Sequence, residues 1–204
     1  MLDILPPAPV PLARPNKPGV DVTPPPAASH DPARGAMENP ATSATCPDRS
    51  REYKRLWSWS PSRSLLASMR AYQRAALIKD PVVAYFARKT AALRHRFWCV
   101  VCGADIPVNV RLGEGLLMPH PNGIVVHADA EVGPNCLIFQ QVTIGLRHSG
   151  VPRIGGHVEI GACAKILGAV RIGDHARIGA NAVVLQDVPA GAVAVGVPAR
   201  IINS

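Results

Sequence analysis

Aliphatic residues recur at every sixth position along the second half of the chain. Six such units follow one another without a gap from Ile154 to Pro189, each aliphatic at its first position and small or branched at its fifth. A unit of this length is one short strand and a turn, which cannot bury its apolar face until neighbouring units stack on it. With three units per coil, the period predicts a triangular parallel β-helix of about five coils.

The same period begins well before these six units and is interrupted twice. Its phase moves by two residues between Ile124 and Val132, and ten residues instead of six separate Ile144 from Ile154. Extra residues must leave the stacked ladder, so we expect the segment from Leu146 to Arg153 to protrude as a loop. Because fold alone does not define function, these interruptions are where we look for chemistry.

Two segments of different character precede the repeat domain, which spans residues 104–204. Residues 1–50 hold twelve of the 21 prolines and little hydrophobic periodicity, so they are predicted to form a disordered tail. Residues 51–103 contain two helix-start signals, Ser60-Pro61 and Asp80-Pro81, each followed by apolar residues at helical spacing. They predict two or three helices that pack on the end of the repeats.

Composition excludes several functions. The net charge is +8, but the basic residues are scattered and are not interleaved with aromatic ones, so we expect no nucleic-acid binding, whereas a phosphate-bearing cosubstrate is compatible. Cys99-Val-Val-Cys102 has neither a second pair nor following histidines, so we expect no metal site. No run approaches the about 18 apolar residues of a membrane span, and the start lacks a signal-peptide pattern, so we expect a cytoplasmic protein.

His120 is the residue that stands out chemically. It occupies a turn position between Pro119 and Pro121, which stiffen the backbone on both sides. A rigidly held imidazole suits a general base because its pKa lies near neutral pH. Asp105 lies 15 residues earlier, slightly under one coil of about 18 residues, so the two side chains can meet across adjacent rungs. Taken alone, the residues leave a solvated surface histidine as the alternative.

Several segments of the repeat domain resemble the serine acetyltransferase family of the hexapeptide-repeat acyltransferases. The resemblance covers about Ala104 to Ile201 and rests on Asp105-Ile106, Gly115 to Val126, Gln141 to Gly145, Ile160 to Gly168, and Gly196 to Ile201. It implies left-handed coils and transfer of an acetyl group from acetyl-CoA to serine, which gives O-acetylserine for cysteine synthesis. It also implies that His120 is the general base and that Asp105 orients it.

The reaction that the resemblance implies needs further groups, for which chemistry suggests candidates. Gly145 is a candidate oxyanion donor, since glycine in a tight turn exposes its N–H. Acetyl-CoA is expected in a groove between subunits of a homotrimer or a dimer of trimers, against Ala162 and Ala180, which are 18 residues apart. The side chains expected at the cofactor phosphates are those of Lys165, Arg177 and Arg200. Those expected at the acceptor are Arg147, His148 and Arg153.

The chain departs from the family at positions that concern the acceptor. Pro119 replaces the aspartate that usually precedes the histidine and holds the amino group of serine, and Gly150-Val-Pro-Arg153 replaces the usual Arg-His-Pro. The family's extension ending in isoleucine is not found after Ile201, so we expect no docking to cysteine synthase. Three hypotheses follow: a serine O-acetyltransferase, an O-acetyltransferase of a sugar or exopolysaccharide precursor, and a non-catalytic β-helix scaffold.

Overall fold

The computed structural model describes residues 43–54, 59–148 and 150–202. The proline-rich stretch of residues 1–42 lies outside the described residues. The predicted boundary of the tail at residue 50 differs from the structure, because residues 43–54 include a 3-10 helix (Arg49–Glu52) and contact the β-helix. The physical reason is a set of polar contacts that hydrophobic periodicity does not reveal.

In the described part of the chain two α-helices precede the β-helix and begin at the predicted signals. Helix α1 spans Pro61–Ala75 and helix α2 spans Pro81–Cys102. The buried side of α1, formed by Leu65, Leu66 and Met69, joins the same apolar core as the first coils. The predicted packing of the helices on the end of the repeats is therefore confirmed.

Helix α2 has a defined cap at each end. The Asp80 side chain accepts hydrogen bonds from the backbone N–H groups of Val82 and Val83, both at 2.9 Å. Gly103, with a φ of 62°, ends the helix in the left-handed conformation that glycine adopts at little cost. The first coil of the β-helix begins two residues later.

Within the described ranges, thirteen short strands form the three faces of a parallel β-helix. Face 1 consists of β1 (Arg111–Leu112), β3 (Glu131–Val132), β6 (Arg153–Ile154) and β9 (Arg171–Ile172). Face 2 consists of β4 (Leu137–Ile138), β7 (Glu159–Ile160), β10 (Arg177–Ile178), β12 (Val193–Val195) and β13 (Arg200–Ile202). Face 3 consists of β2 (Val125–Val126), β5 (Thr143–Gly145), β8 (Lys165–Leu167) and β11 (Val183–Val184).

The strands alternate between the interior and the surface, as period-two side-chain geometry requires. On face 3, for example, Ile144 and Ile166 pair in register and are fully buried, while Thr143 and Lys165 beside them lie on the outer surface. The interior is a stack of aliphatic side chains, which explains why this chain needs so few aromatic residues. The predicted fold class is confirmed.

The lengths of the coils locate both interruptions of the repeat. Arg111 pairs with Glu131, a step of 20 residues, whereas Val125 pairs with Thr143, a step of 18. The two extra residues lie between Leu117 and Val125, because Leu117 still keeps the six-residue spacing to Arg111. The predicted position of the slip, between Ile124 and Val132, is therefore wrong: both Ile124 and Ala130 are interior residues six apart.

Residues with positive φ mark the corners between faces. Asn135, His157 and His175 occupy the corner between faces 1 and 2, which we call the 1–2 corner, with φ of 60°, 52° and 60°. Gln141, Cys163 and Asn181, with φ between 58° and 63°, occupy the 2–3 corner. Left-handed backbone is unusual outside glycine, and asparagine tolerates it best because its side chain can bond locally.

The segment before α1 is bound to the 1–2 corner by Asn135. This side chain is almost fully buried, and its amide donates to the carbonyls of Ser43 at 2.7 Å and Cys46 at 2.8 Å. Its Oδ1 accepts the backbone N–H of Asp48 at 2.8 Å. One side chain therefore satisfies three backbone groups of a segment that lies 87 or more residues away in sequence.

An ion pair whose side chains are only 11% and 13% exposed attaches helix α1 to the first coil. Arg70 bonds both carboxylate oxygens of Glu52, at 2.8 and 3.1 Å, and donates to the carbonyls of Leu112 and Gly113, both at 2.7 Å. Glu52 in turn accepts the N–H of Leu116 at 3.1 Å. A buried ion pair is costly unless its remaining donors and acceptors are bonded, as they are here.

The far end of the β-helix reverses direction. Strand β13 runs antiparallel to β12, with Val193 opposite Ile202 and Val195 opposite Arg200. All other strand pairs in the described ranges are parallel. The last coil is thus closed by a strand that does not continue the solenoid.

We predict that Asn135→Ala lowers the free energy of unfolding by about 3 kcal/mol, because three backbone groups lose their hydrogen bonds to this side chain and alanine disfavours a φ of 60°. Chemical denaturation measures this change. The control is Asn181→Ala, which has the same backbone conformation but an exposed side chain without a hydrogen bond among the described residues. Asn181→Ala should lower the free energy of unfolding by about 1 kcal/mol. Equal losses of stability in the two variants would contradict the role assigned to the Asn135 contacts.

Candidate active site

His120 lies on the enlarged corner of the first complete coil. This corner, residues 118–124, contains the two extra residues, and both Pro119 and His120 are exposed on it. Beyond the histidine the backbone is fixed: the Gly123 N–H donates to the Gly103 carbonyl at 2.7 Å, and the Asn122 carbonyl accepts from Gln141 at 3.0 Å. An accessible imidazole is therefore carried on a backbone that is held from the coil above and from the coil below.

Asp105 occupies the neighbouring rung on face 3. It pairs with Val125 on the next coil. The Asp105 N–H donates to the Ile124 carbonyl at 2.8 Å, and the Asp105 carbonyl accepts from the Val126 N–H at 2.9 Å. Because this step is 20 residues, Asp105 stacks on the strand that follows His120 rather than on the histidine itself. In the described part of the chain no hydrogen bond or ion pair joins the two side chains. Catalytic hydrogen bonds often tighten only when substrate is bound.

Ala162 and Ala180 lie on the same 2–3 corner as His120. The Ala162 carbonyl accepts the N–H of Asn181 at 2.8 Å, so the two alanines belong to successive coils in register. Coils are spaced by about 4.8 Å, which puts Ala162 about 10 Å and Ala180 about 14 Å below the histidine along this edge. The edge therefore offers small residues on two successive coils, while Gln140 occupies the equivalent position of the coil between them and the histidine.

The structure places Gly145 in strand β5, paired with Leu167, and not in a turn. Its carbonyl accepts the N–H of Gly168 at 3.1 Å. Backbone groups of a parallel strand are directed to the neighbouring strands. The premise that the Gly145 N–H is exposed by a tight turn is therefore wrong.

The predicted protruding loop is a tight turn at the 3–1 corner, between faces 3 and 1. Arg147 and Gly150 bond each other through both backbone groups, at 3.2 and 3.4 Å, with the exposed His148 between them. The segment becomes regular again earlier than predicted, because Pro152 is buried and Arg153 already belongs to strand β6. Ser149 lies outside the described residues.

The acceptor candidates are therefore not next to His120 within one chain. Arg147 and His148 are at the 3–1 corner, and Arg153 is on face 1 between Glu131 and Arg171. His120 is at the 2–3 corner, one side of the triangle away, which is about 15–20 Å for six residues of extended chain. Within one chain the structure does not bring these groups together.

The three cationic candidates for the cofactor have different surroundings. The Lys165 ammonium donates to the Gln141 carbonyl at 2.7 Å and to the Thr143 hydroxyl at 3.0 Å, so it sits close to the 2–3 corner. Arg177 is on face 2, 3.5 Å from the Glu159 carboxylate. Arg200 is exposed on the antiparallel strand β13. Lys165 is thus the candidate nearest to the alanine edge.

A groove beside Asp105 was not predicted from the sequence. It has a volume of about 760 Å³ and lies between helix α2 and the first rung, with His95, Arg96, Cys99, Asp105 and Val125 among its lining residues. This volume is in the range of small-molecule sites. The groove depends on the docking of α2 against the β-helix, so the repeat pattern carries no signal for it.

A buried histidine supports this groove from behind. His95 lies 3.2 Å from the Ser68 hydroxyl through Nδ1 and 2.7 Å from the Ile106 carbonyl through Nε2, with the Cys99 sulfur 3.3 Å from Nε2. Burial raises the pKa of the Cys99 thiol, and the Asp105 carboxylate adds to the increase. The neutral thiol is therefore favoured, which argues against Cys99 as a nucleophile.

Two further histidines form a pair on the 1–2 corner. The Nδ1 atoms of His157 and His175 are 3.1 Å apart, and the rings are tilted by 51°. The pKa of His157 lies below its ordinary value of 6.5, first because of partial burial and second because of the neighbouring His175. Among the described residues no group of three or more His, Cys, Asp or Glu side chains is arranged to hold a metal ion.

Comparison with known proteins identifies the class of the fold. The profile of the bacterial transferase hexapeptide family (six repeats) matches residues 152–186. The chain is thus a hexapeptide-repeat protein of the bacterial transferase type.

Relatives identify the family within this class. The chain is 38% identical to a serine acetyltransferase of Helicobacter pylori over 123 residues, which are 58% of this chain and 70% of the relative. It is 43% identical to a serine acetyltransferase of Synechococcus elongatus over 107 residues, 50% of this chain and 44% of the relative. The chain belongs to the serine acetyltransferase family.

Solved structures agree with this assignment. Serine acetyltransferase of Neisseria gonorrhoeae in complex with serine is 38% identical with a TM-score of 0.57, over 70% of this chain and 57% of that one. A serine acetyltransferase in complex with CoA is 33% identical with a TM-score of 0.59, over 71% and 57%. The chain thus spans between 32% and 70% of the length of the relatives it matches.

We predict that the free energy of unfolding falls as the pH is lowered from 7.5 to 5.5. A folded-state pKa below the ordinary value means that the unfolded chain binds protons more readily, so this stability is complete above pH 6.5 and is lost as the pH falls through it. Denaturation at several pH values measures the slope of the unfolding free energy against pH. His157→Asn should reduce this slope because it removes the titrating imidazole. Asparagine is chosen because it tolerates the positive φ of this position. An equal reduction by His148→Asn, a histidine of similar backbone conformation without such a partner, would contradict this cause.

Proposed function

We propose that this chain is an acetyl-CoA-dependent O-acetyltransferase with His120 as its general base. The observation that carries the proposal is the position of His120, exposed on the one enlarged 2–3 corner, above the small residues Ala162 and Ala180 on the same edge. Membership of the serine acetyltransferase family supports it, as does the CoA-bound relative of the same fold. A scaffold would require neither the enlarged corner nor its histidine.

The imidazole accounts for both proton transfers of the reaction. His120 takes the proton of the acceptor hydroxyl while its oxygen attacks the thioester carbonyl of acetyl-CoA. The tetrahedral intermediate then collapses with cleavage of the carbon–sulfur bond, and the proton passes from the imidazolium to the departing thiolate of CoA. Asp105 on the adjacent rung is the positioning carboxylate, which holds the imidazole tautomer and stabilises the imidazolium.

The cosubstrate lies along the 2–3 corner in this proposal. A pantetheine chain runs past Ala162 and Ala180, where a larger residue would hold it away from the backbone. Lys165, already anchored by Gln141 and Thr143, adds a cation near this edge. The 2–3 corner thus provides His120 and the two alanines, and the adjoining face 3 provides Asp105 and Lys165.

We propose a homotrimer, located in the cytoplasm. Arg147 and His148 are a full side of the triangle away from His120 in one chain, so a site that uses them needs the 3–1 corner of a neighbouring chain. Association about a threefold axis supplies that corner three times. The acceptor site is then shared between subunits, with His120 from one chain and Arg147 and His148 from the next.

L-serine is the proposed acceptor, because the relatives that match the chain are serine acetyltransferases and one of them holds serine. The second candidate is a hydroxyl of a sugar or exopolysaccharide precursor. Pro119 favours it, since an exposed proline stands beside His120 and cannot bind an amino group as a carboxylate does. The groove of about 760 Å³ beside Asp105 also favours an acceptor larger than an amino acid.

We predict that His120→Ala lowers the rate of CoA release from acetyl-CoA by about a hundredfold or more, because no other group takes the proton. A thiol-release assay measures this rate with a saturating acceptor. The control is His175→Asn, a histidine on the 1–2 corner, which should keep the parental rate. Full activity of the His120 variant would refute the mechanism.

The acceptor is tested by assaying the parent protein with L-serine and with a panel of sugars and oligosaccharides. We predict turnover with serine, and a further rise in kcat/KM for serine in Pro119→Asp, because the new carboxylate can pair with the substrate ammonium. The residue is exposed, so the fold should tolerate the change. Turnover on a glycan without any on serine would replace the first candidate by the second and leave the role of His120 intact.

A further inference from the structure

Helix α2 presents a continuous apolar stripe to the solvent. Its residues recur at intervals of three, four or seven, which places them on one side of the helix. They are more than half exposed, from 56% at Phe97 to 77% at Val100, although large apolar side chains are normally buried. The stripe consists of Val82, Phe86, Leu93, Phe97 and Val100. Since α2 has 22 residues, it is about 33 Å long, and the stripe runs along most of it.

The opposite side of α2 is already occupied. Ala91, His95 and Cys102 are buried there, against α1 and the first coil. The exposure of the stripe is therefore not needed for the packing of the hairpin. A contiguous apolar surface of this kind marks a site of interaction with a protein or a membrane.

Charge distinguishes between these partners. The sequence from Pro81 to Cys102 contains four cationic side chains, Arg88, Lys89, Arg94 and Arg96, and no aspartate or glutamate. On a helical projection Lys89 and Arg96 flank one edge of the stripe and Arg94 the other. A second copy of α2 would bring four more cations against these four, whereas an anionic surface is complementary to them.

A groove beside the stripe has the same character. It has a volume of about 570 Å³ and is lined by Tyr72, Tyr85, Arg88 and Lys89, together with small residues of α2. The Arg88 guanidinium lies 5.1 Å from the ring centre of Tyr72, and the Lys89 ammonium 5.5 Å from that of Tyr85. Two cations beside two aromatic rings suit a phosphate group at the boundary between polar and apolar surroundings.

We propose that α2 docks the protein on an anionic phospholipid surface. The helix lies in the plane of the interface, with the stripe among the acyl chains and the flanking cations at the lipid phosphates. No helix in the described ranges is long and apolar enough to cross a membrane, which agrees with this orientation. The stripe and the absence of acidic side chains are features of α2 itself, and the cationic groove lies between α2 and Tyr72 of α1.

The test is sedimentation of the full chain with lipid vesicles. We predict binding to vesicles of phosphatidylglycerol and phosphatidylcholine, little binding to phosphatidylcholine alone, and loss of binding at high salt. Phe86→Ser combined with Leu93→Ser should weaken partitioning more than tenfold. Lys89→Ala should weaken it about fivefold. None of these residues belongs to the proposed acetyl-transfer site, so the outcome is independent of that function.

Matched controls lie on the β-helix. Ile202→Ser removes an exposed apolar residue, and Arg171→Ala removes an exposed cation of face 1. Both should bind vesicles like the parent, and circular dichroism checks that every variant is folded. The proposal is wrong if the parent does not sediment with anionic vesicles. It is also wrong if the double serine variant binds anionic vesicles like the parent. If the parent does not bind vesicles and the double variant has a smaller native mass than the parent, the stripe is a contact between copies of the chain.

Discussion

Register between stacked coils is the constraint on which the rest of this molecule depends. Each short strand finds its hydrogen-bond partners only in the coils above and below, so every coil must return to the same three faces. A coil can be longer than 18 residues only if the surplus leaves the ladder at a corner. The interior then remains a column of matched aliphatic side chains whatever the corners contain.

This constraint explains where the interruptions of the repeat lie. The two surplus residues near His120 and the surplus around Arg147 are both found at corners, and the strands on either side keep their register. The corners are also where the backbone leaves the β conformation, so side chains there are free to approach a ligand. A rigid column thus carries variable groups at its edges, and a neighbouring column is needed to bring two different edges together.

The repeat pattern was sufficient to predict the β-helix, because the interior positions obey it almost without exception. The helix starts at Ser60 and Asp80 were also readable, since capping and first-turn proline are local effects. The position of the two-residue slip could not be predicted from the sequence, because Ile124 fits two positions of the template equally well. Three-dimensional features without local signals were missed: the Asn135 contacts with residues 43–48, and the groove where α2 meets Asp105.

The two ends of the column differ from its middle in a way that bears on solubility. A solenoid exposes unpaired backbone groups at each end, and such edges recruit further strands from other molecules. Here the first coil is covered by α1, which the Arg70–Glu52 pair holds in place, and the last is paired with the antiparallel strand β13. On face 2 the parallel ladder thus ends in a strand of opposite direction, and beside the first coil the carbonyls of Leu112 and Gly113 already accept hydrogen bonds from Arg70. Both features hinder the addition of further parallel strands at the ends, so they favour association between molecules through the sides of the column.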